Sequence, residues 1–84
     1  MRIYLQTPPN AEGNPRYYHL FLQEDLIDGW TLIKENGQQG SPGRVTKIHF
    51  NDRDHALAAL IKARDTQIKR GYYVVFIKGE QAPA

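Results

Sequence analysis

The chain has 84 residues with no cysteine, one tryptophan, one methionine and a single serine, Ser41. Without cysteine there is no disulfide framework, and zinc sites built on thiolates are excluded. This fits a reducing compartment. No segment approaches the roughly 20 consecutive apolar residues that a membrane-spanning helix needs. The opening MRIYLQTPP has no apolar stretch of signal-peptide length. The expectation is a cytoplasmic protein with no membrane contact. A large excess of one charge is also missing. Eleven Lys and Arg face nine Asp and Glu, a net +2. That is mildly basic, short of the excess of a dedicated DNA-coating protein.

What is present suits one small domain spanning 1–84, with an N-terminal strand and loop (1–15) and a flexible tail (78–84). Hydrophobic residues make up 40% of the chain, enough for one compact core. Charge is unevenly placed. Lys34, Arg44 and Lys47 outweigh Glu35. Lys62, Arg64, Lys69 and Arg70 outweigh Asp65.

Alternation sets the strands. Arg2 to Gln6 alternates Ile3 and Leu5 against Tyr4. Thr7 to Pro15 is a loop rich in breakers. In Arg16 to Gln23, Tyr18, Leu20 and Leu22 share one face and Tyr17, His19 and Phe21 the other, so it reads as a central strand. Glu24 to Gly29 is a turn. Trp30 to Glu35 and Arg44 to Phe50 form a hairpin around a long loop, Asn36 to Gly43. Ser41-Pro42-Gly43-Arg44 predicts a type II turn with Gly43 at positive φ. Asn51 to Arg70 is the clearest helix. Asn51 or Asp52 caps it, Leu57, Leu60, Ile61, Arg64 and Ile68 form its stripe, and Gly71 follows as the C′ residue. Asp65 and Lys69 make an i,i+4 pair. Tyr72 to Ile77 is the last strand. The sum is an α+β domain: an antiparallel sheet of about four or five strands with one helix packed across one face.

The order Leu22-Gln23-x-Asp25-Leu26, then Gly29-Trp30-x-Leu32, then an x-Gly-x triplet at Asn36-Gly37-Gln38 and a Gly-rich turn, resembles the WGR domain. Phe50, Ala56-Leu57, Leu60 and Gly71-Tyr72 extend the resemblance, which runs from Arg16 to about Tyr73. That family includes short single-domain bacterial proteins and the DNA-binding module of poly(ADP-ribose) polymerases. The resemblance implies a small α+β fold and contact with DNA ends or nicks through the triplet. The triplet itself departs from the family: Asn36 and Gln38 stand where the family has Trp and Arg. A stacked ring is worth roughly 1–3 kcal/mol, and a charged contact to phosphate is about twice as strong as a neutral one. Binding through the triplet alone is therefore weaker by roughly 2–5 kcal/mol.

Weighed singly, Gly37, Gly40 and Gly43 either present amides to a phosphate or serve turn geometry. Trp30 reads as core. Arg44 and Lys47 either meet phosphates or are simply solvated. Arg64 either snorkels or pairs with Asp25 or Asp28. Lys62, Lys69 and Arg70 read as a solvated helix face. His19, His49 and His55 lack metal-ligand spacing, though His19 and His49 could meet across strands. Ser41 has no adjacent base. The expectation is a non-catalytic module with no metal, no cofactor and no small-molecule substrate. It binds nucleic acid, DNA first, through Lys34, Asn36, Gly37, Gln38, Gly40, Arg44 and Lys47. The competing expectation is a protein partner or homodimer formed through edge strands and the pairs Tyr17-Tyr18 and Tyr72-Tyr73.

Overall fold

In a computed structural model, residues 1–9 and 13–79 are described. Of the expected tail, 78–84, Lys78 belongs to the last strand and residues 80–84 lie outside the described ones, as does part of the 7–15 loop. The elements are β1 (Arg2–Gln6), β2 (Arg16–Glu24), β3 (Trp30–Gln38), β4 (Arg44–Phe50), α1 (Arg53–Lys69) and β5 (Tyr73–Lys78). The five strands form one antiparallel sheet in the order β4-β3-β2-β1-β5. The α+β expectation is met, and β2 is indeed the central strand.

Helix α1 links the two edge strands, so it must cross the whole sheet. Its 17 residues span about 25 Å at 1.5 Å per residue. Five strands about 4.8 Å apart need roughly 19 Å. One helix of this length therefore covers one face and leaves none for the other.

Strand alternation fills the covered face. Ile3, Leu5, Leu20, Leu22 and Leu32 point to the helix and meet Ala56 and Leu60, all buried. Trp30, Phe50, Tyr18, Tyr72 and Val74 border this core. Trp30 is thus core edge, as its position suggested, and the Arg53 guanidinium lies 5.8 Å from its ring centroid. Tyr18 and Tyr72 meet edge to face at 6.0 Å.

The helix sits on the sheet through a different stripe from the one its large apolar residues suggest. Ala56, Leu60 and Gln67 are buried, with Leu57, Ala59 and Ala63 packed beside the core. Ile61 and Ile68 stay 37% and 45% exposed. Alanines let the helix backbone approach the sheet closely, so the small residues take the inner face. Arg64 pairs with Asp65 at 2.9 Å, neither with Asp25 nor with Asp28, which also engages the carboxylate expected to meet Lys69. The ends follow expectation. The Asp52 carboxylate accepts from the His55 N–H at 2.9 Å. Gly71 follows the C-cap at φ +99°.

Two turns place the rest. Asp25 accepts from the Thr31 hydroxyl at 2.8 Å and lies 3.0 Å from His49 Nδ1, tying the β2–β3 turn to β4. Gly29, at φ +92°, leaves room for the His49 ring, which a side chain would strike. His49 is therefore held by Asp25, while His19 lies opposite Glu35 in β3, so the two histidines do not meet. The β3–β4 turn differs from expectation. β3 runs on through Asn36, Gly37 and Gln38, which pair with Tyr18, Tyr17 and Arg16. The turn closes from the Gln38 carbonyl to the Ser41 N–H at 3.0 Å, with Gly40 at φ +85°. The type II geometry belongs to Gln38–Ser41, and Gly43 has no positive φ. Its absent side chain answers to packing against Tyr17 instead.

Candidate nucleic-acid interface

The register distributes the expected site residues over both faces of the hairpin. Arg16, Tyr18 and Leu20 lie opposite Gln38, Asn36 and Lys34. Arg44 and Thr46 lie opposite Asn36 and Lys34. By alternation, Lys34, Asn36, Gln38 and Arg44 share the helix side with Leu32. Gly37 pairs with Tyr17 and Lys47 with Ile33, on the uncovered side. Lys47 therefore does not join Lys34 and Arg44 on one surface.

The glycines divide as well. The Tyr17 ring lies over Gly37 and Gly43. A Cβ at Gly43 would collide with its hydroxyl, and one at Gly37 would sit 3.0 Å from the Gly43 Cα. These two glycines admit an aromatic ring. Gly40 serves the turn. The Gln38 amide donates to the Asn14 carbonyl at 3.4 Å. Asn14 in turn donates to the Gln39 carbonyl at 3.0 Å.

On the helix side, two adjoining concavities lie beside the C-terminal half of α1, against β2 and β3. One, of about 380 Å³, is lined by Lys34, Lys62, Thr66 and Ile48 among others. The other, of about 360 Å³, is lined by Arg16, Asn36, Thr7 and Tyr72 among others. Tyr18, Gln67 and Arg70 line both. Together they form one groove carrying Arg16, Lys34, Lys62 and Arg70. None of its described lining residues is acidic. Burial pushes the Tyr18 phenol above its ordinary pKa, with Arg70 pulling partly back. Tyr18 therefore stays a neutral O–H at physiological pH. A groove of four cations with hydroxyl and amide groups can hold an anionic backbone by charge and by hydrogen bonds.

Two of the expected residues, Lys34 and Asn36, line this groove. Arg16, Lys62 and Arg70 were not expected there. Arg16 could have been found, since it has the same parity as Tyr18, Leu20 and Leu22. Lys62 and Arg70 are exposed, as the sequence suggests, and they also line the groove. Seeing that requires knowing that Gln67 packs against the sheet.

Elsewhere, the His55 N–H, and then its imidazole at 2.6 Å, hold the Asp52 carboxyl below the usual carboxylate range. This is helix capping. Among the described residues no group of three or more His, Cys, Asp or Glu is placed to hold a metal ion. No helix among them is long and apolar enough to cross a membrane.

No family model matches the chain, and no solved structure matches it. It is similar to the "Uncharacterized protein y4dW" of Sinorhizobium fredii (strain NBRC 101917 / NGR234), at 24% identity over 71 residues. That alignment takes in 84% of this chain and 35% of the relative, so the chain spans about a third of the relative's length.

Proposed function

We propose that the protein is a non-catalytic, cytoplasmic module that binds the sugar-phosphate backbone of nucleic acid, DNA first, in the groove between α1 and the β2–β3 strands. The observation that carries this reading is the groove's charge. Arg16, Lys34, Lys62 and Arg70 line two joined concavities whose described lining includes no carboxylate. Ordinary solvated surfaces mix both signs.

This reading moves the contact from the hairpin tip towards the helix. Lys34 and Asn36 keep the role expected of them. Gln38 and Arg44, on the same side of the hairpin, extend the surface towards its tip. Gly37 and Gly40 act as backbone fixtures, and Lys47 belongs to the other face. The WGR resemblance supports the same ligand class. Asn36, at the triplet's first position, lines the groove beside Arg16 and Arg70. Cations from β2 and α1 compensate there for the ring and the charge that Asn36 and Gln38 do not bring.

The mechanism is phosphate contact without base reading. Each phosphate neutralised releases counterions, so log K falls with log salt by about 0.9 per contact on duplex DNA. With four cations in the groove, a slope of about −2 to −4 follows. The test is fluorescence anisotropy with nicked, blunt and single-stranded DNA at low and moderate salt. Binding that weakens more than about tenfold in Lys34→Glu/Lys62→Glu supports the groove. Absence of binding at low salt, or indifference to the double change, rejects it.

The competing reading, a protein partner or a homodimer, has its own observation. Leu26 and Ile27 at the β2–β3 turn are essentially fully exposed, and Val75 and Ile77 of edge strand β5 are about half exposed. Apolar tips and unpaired edges are common docking elements. A monomer by sedimentation that is unchanged in Leu26→Ser/Ile27→Ser counts against self-association there.

A further inference from the structure

An antiparallel sheet with one face in water normally carries polar residues on that face. Here the uncovered face carries an array of rings. The registers align it in rows across all five strands. One row runs Val45, Glu35, His19, Tyr4, Phe76, and the next runs Lys47, Ile33, Phe21, Arg2, Lys78. Tyr4 lies nearly parallel to Phe76, at 5.6 Å and 10°, and to Tyr17, at 6.1 Å and 12°. Three rings thus form a ladder over β5, β1 and β2. Phe76, at its outer end, is 44% exposed. Arg2 lies 5.7 Å from the Phe21 ring centroid.

Three cations of this face share one row, and one carboxylate, Glu35, lies in the neighbouring row. Lys47 stands at one end of the cationic row, Lys78 at the other, and Arg2 beside Lys78. Glu35 accepts from the Tyr17 hydroxyl at 3.1 Å. A shallow concavity of about 300 Å³ lies between Arg2, Phe21, His19, Gln23, Ile33 and Glu35. Flat apolar rings beside a cationic row match a ligand with flat apolar rings on an anionic backbone. A second copy of this chain would bring Lys47, Arg2 and Lys78 against the same three cations.

We propose that the uncovered face takes a single-stranded nucleic acid, stacking unpaired bases on Phe76, Tyr4 and Phe21 while Lys78, Arg2 and Lys47 meet its phosphates. Sheets of this size with surface rings stack two or three bases, and ring stacking tolerates any base. This surface lies on the opposite side of the sheet from the cationic groove and does not rest on it.

The experiment uses anisotropy with labelled single strands of about ten nucleotides, as DNA and as RNA, a base-free strand of equal phosphate number, and a blunt duplex. The full chain is compared with Phe76→Ala and with Lys34→Glu/Lys62→Glu. Base-containing strands of either sugar should bind about tenfold tighter than the base-free strand. Phe76→Ala should weaken them about five- to tenfold and leave the duplex unchanged, while the groove variant should weaken the duplex. Failure of the groove variant alone rejects the groove and leaves this surface standing. Equal binding of base-containing and base-free strands overturns the stacking surface, and needs no variant to fold. So does a wild-type dimer that Phe76→Ala splits, which would assign the face to a second copy.

Discussion

The Tyr17 ring occupies the space that a side chain at Gly43 would need, so strand β4 can begin only where its first neighbour is a glycine. The same ring crosses Gly37, and its hydroxyl donates to Glu35 at 3.1 Å. This contact fixes the start of the β3–β4 hairpin and explains two of the three evenly spaced glycines.

Gly43→Ala should therefore destabilise the fold by about 1–3 kcal/mol, as overpacking does. The methyl meets the Tyr17 hydroxyl, so Tyr17→Phe should relieve part of that loss. Denaturant unfolding of the two single variants and the double variant measures the coupling. Additive effects would show that the glycine answers to something other than the tyrosine.

The helix orientation gives a second expectation. Leu60 is fully buried and Ile68 is 45% exposed. Leu60→Ala should lower stability by about 2–5 kcal/mol, and Ile68→Ala by less than about 1 kcal/mol. Comparable losses in thermal or denaturant unfolding would return the helix to the Leu-Ile stripe.

Acid should weaken the fold through His19. Burial, with Arg2 adding to it, holds its imidazole below the ordinary histidine pKa. Below about pH 6.5 the unfolded chain takes up this proton before the folded chain does. Stability from this group is full above that pH, falls as pH drops through it, and levels off once the folded imidazole also titrates. Its Nε2 is buried without a hydrogen-bond partner among the described residues, which agrees with a neutral ring. Midpoints of unfolding at pH 7.5 and 5.5 should converge in His19→Leu relative to wild type. An unchanged difference would remove His19 as the source.

Much of this fold was legible in the sequence, because alternation and turn residues act locally. Ile3 and Leu5, Leu20 and Leu22, and Leu32 alternate cleanly, though alternation does not give the strand order β4-β3-β2-β1-β5. Two features were not legible, for physical reasons. Asn36-Gly37-Gln38 has the composition of a loop, yet pairing with Arg16, Tyr17 and Tyr18 draws it into β3. Alanines weigh little in a hydrophobic stripe, yet Ala56 sets the inner face because a close helix needs small residues. The candidate site was half legible. Lys34 and Asn36 lie in the cationic groove, but strand parity sends Lys47 to the opposite face. Arg16 and Arg70, 54 positions apart in the sequence, meet only when the helix C-terminus returns over β2.

The proposed contact is between a nucleic-acid backbone and the charge gathered by the helix and the central strands. The most direct measurement is duplex DNA affinity as a function of salt for wild type and for Lys34→Glu/Lys62→Glu. Wild type should show a slope of about −2 to −4 in log K against log salt, reduced by about two in the variant. Superimposable curves for the two proteins, or no binding at low salt, would contradict it.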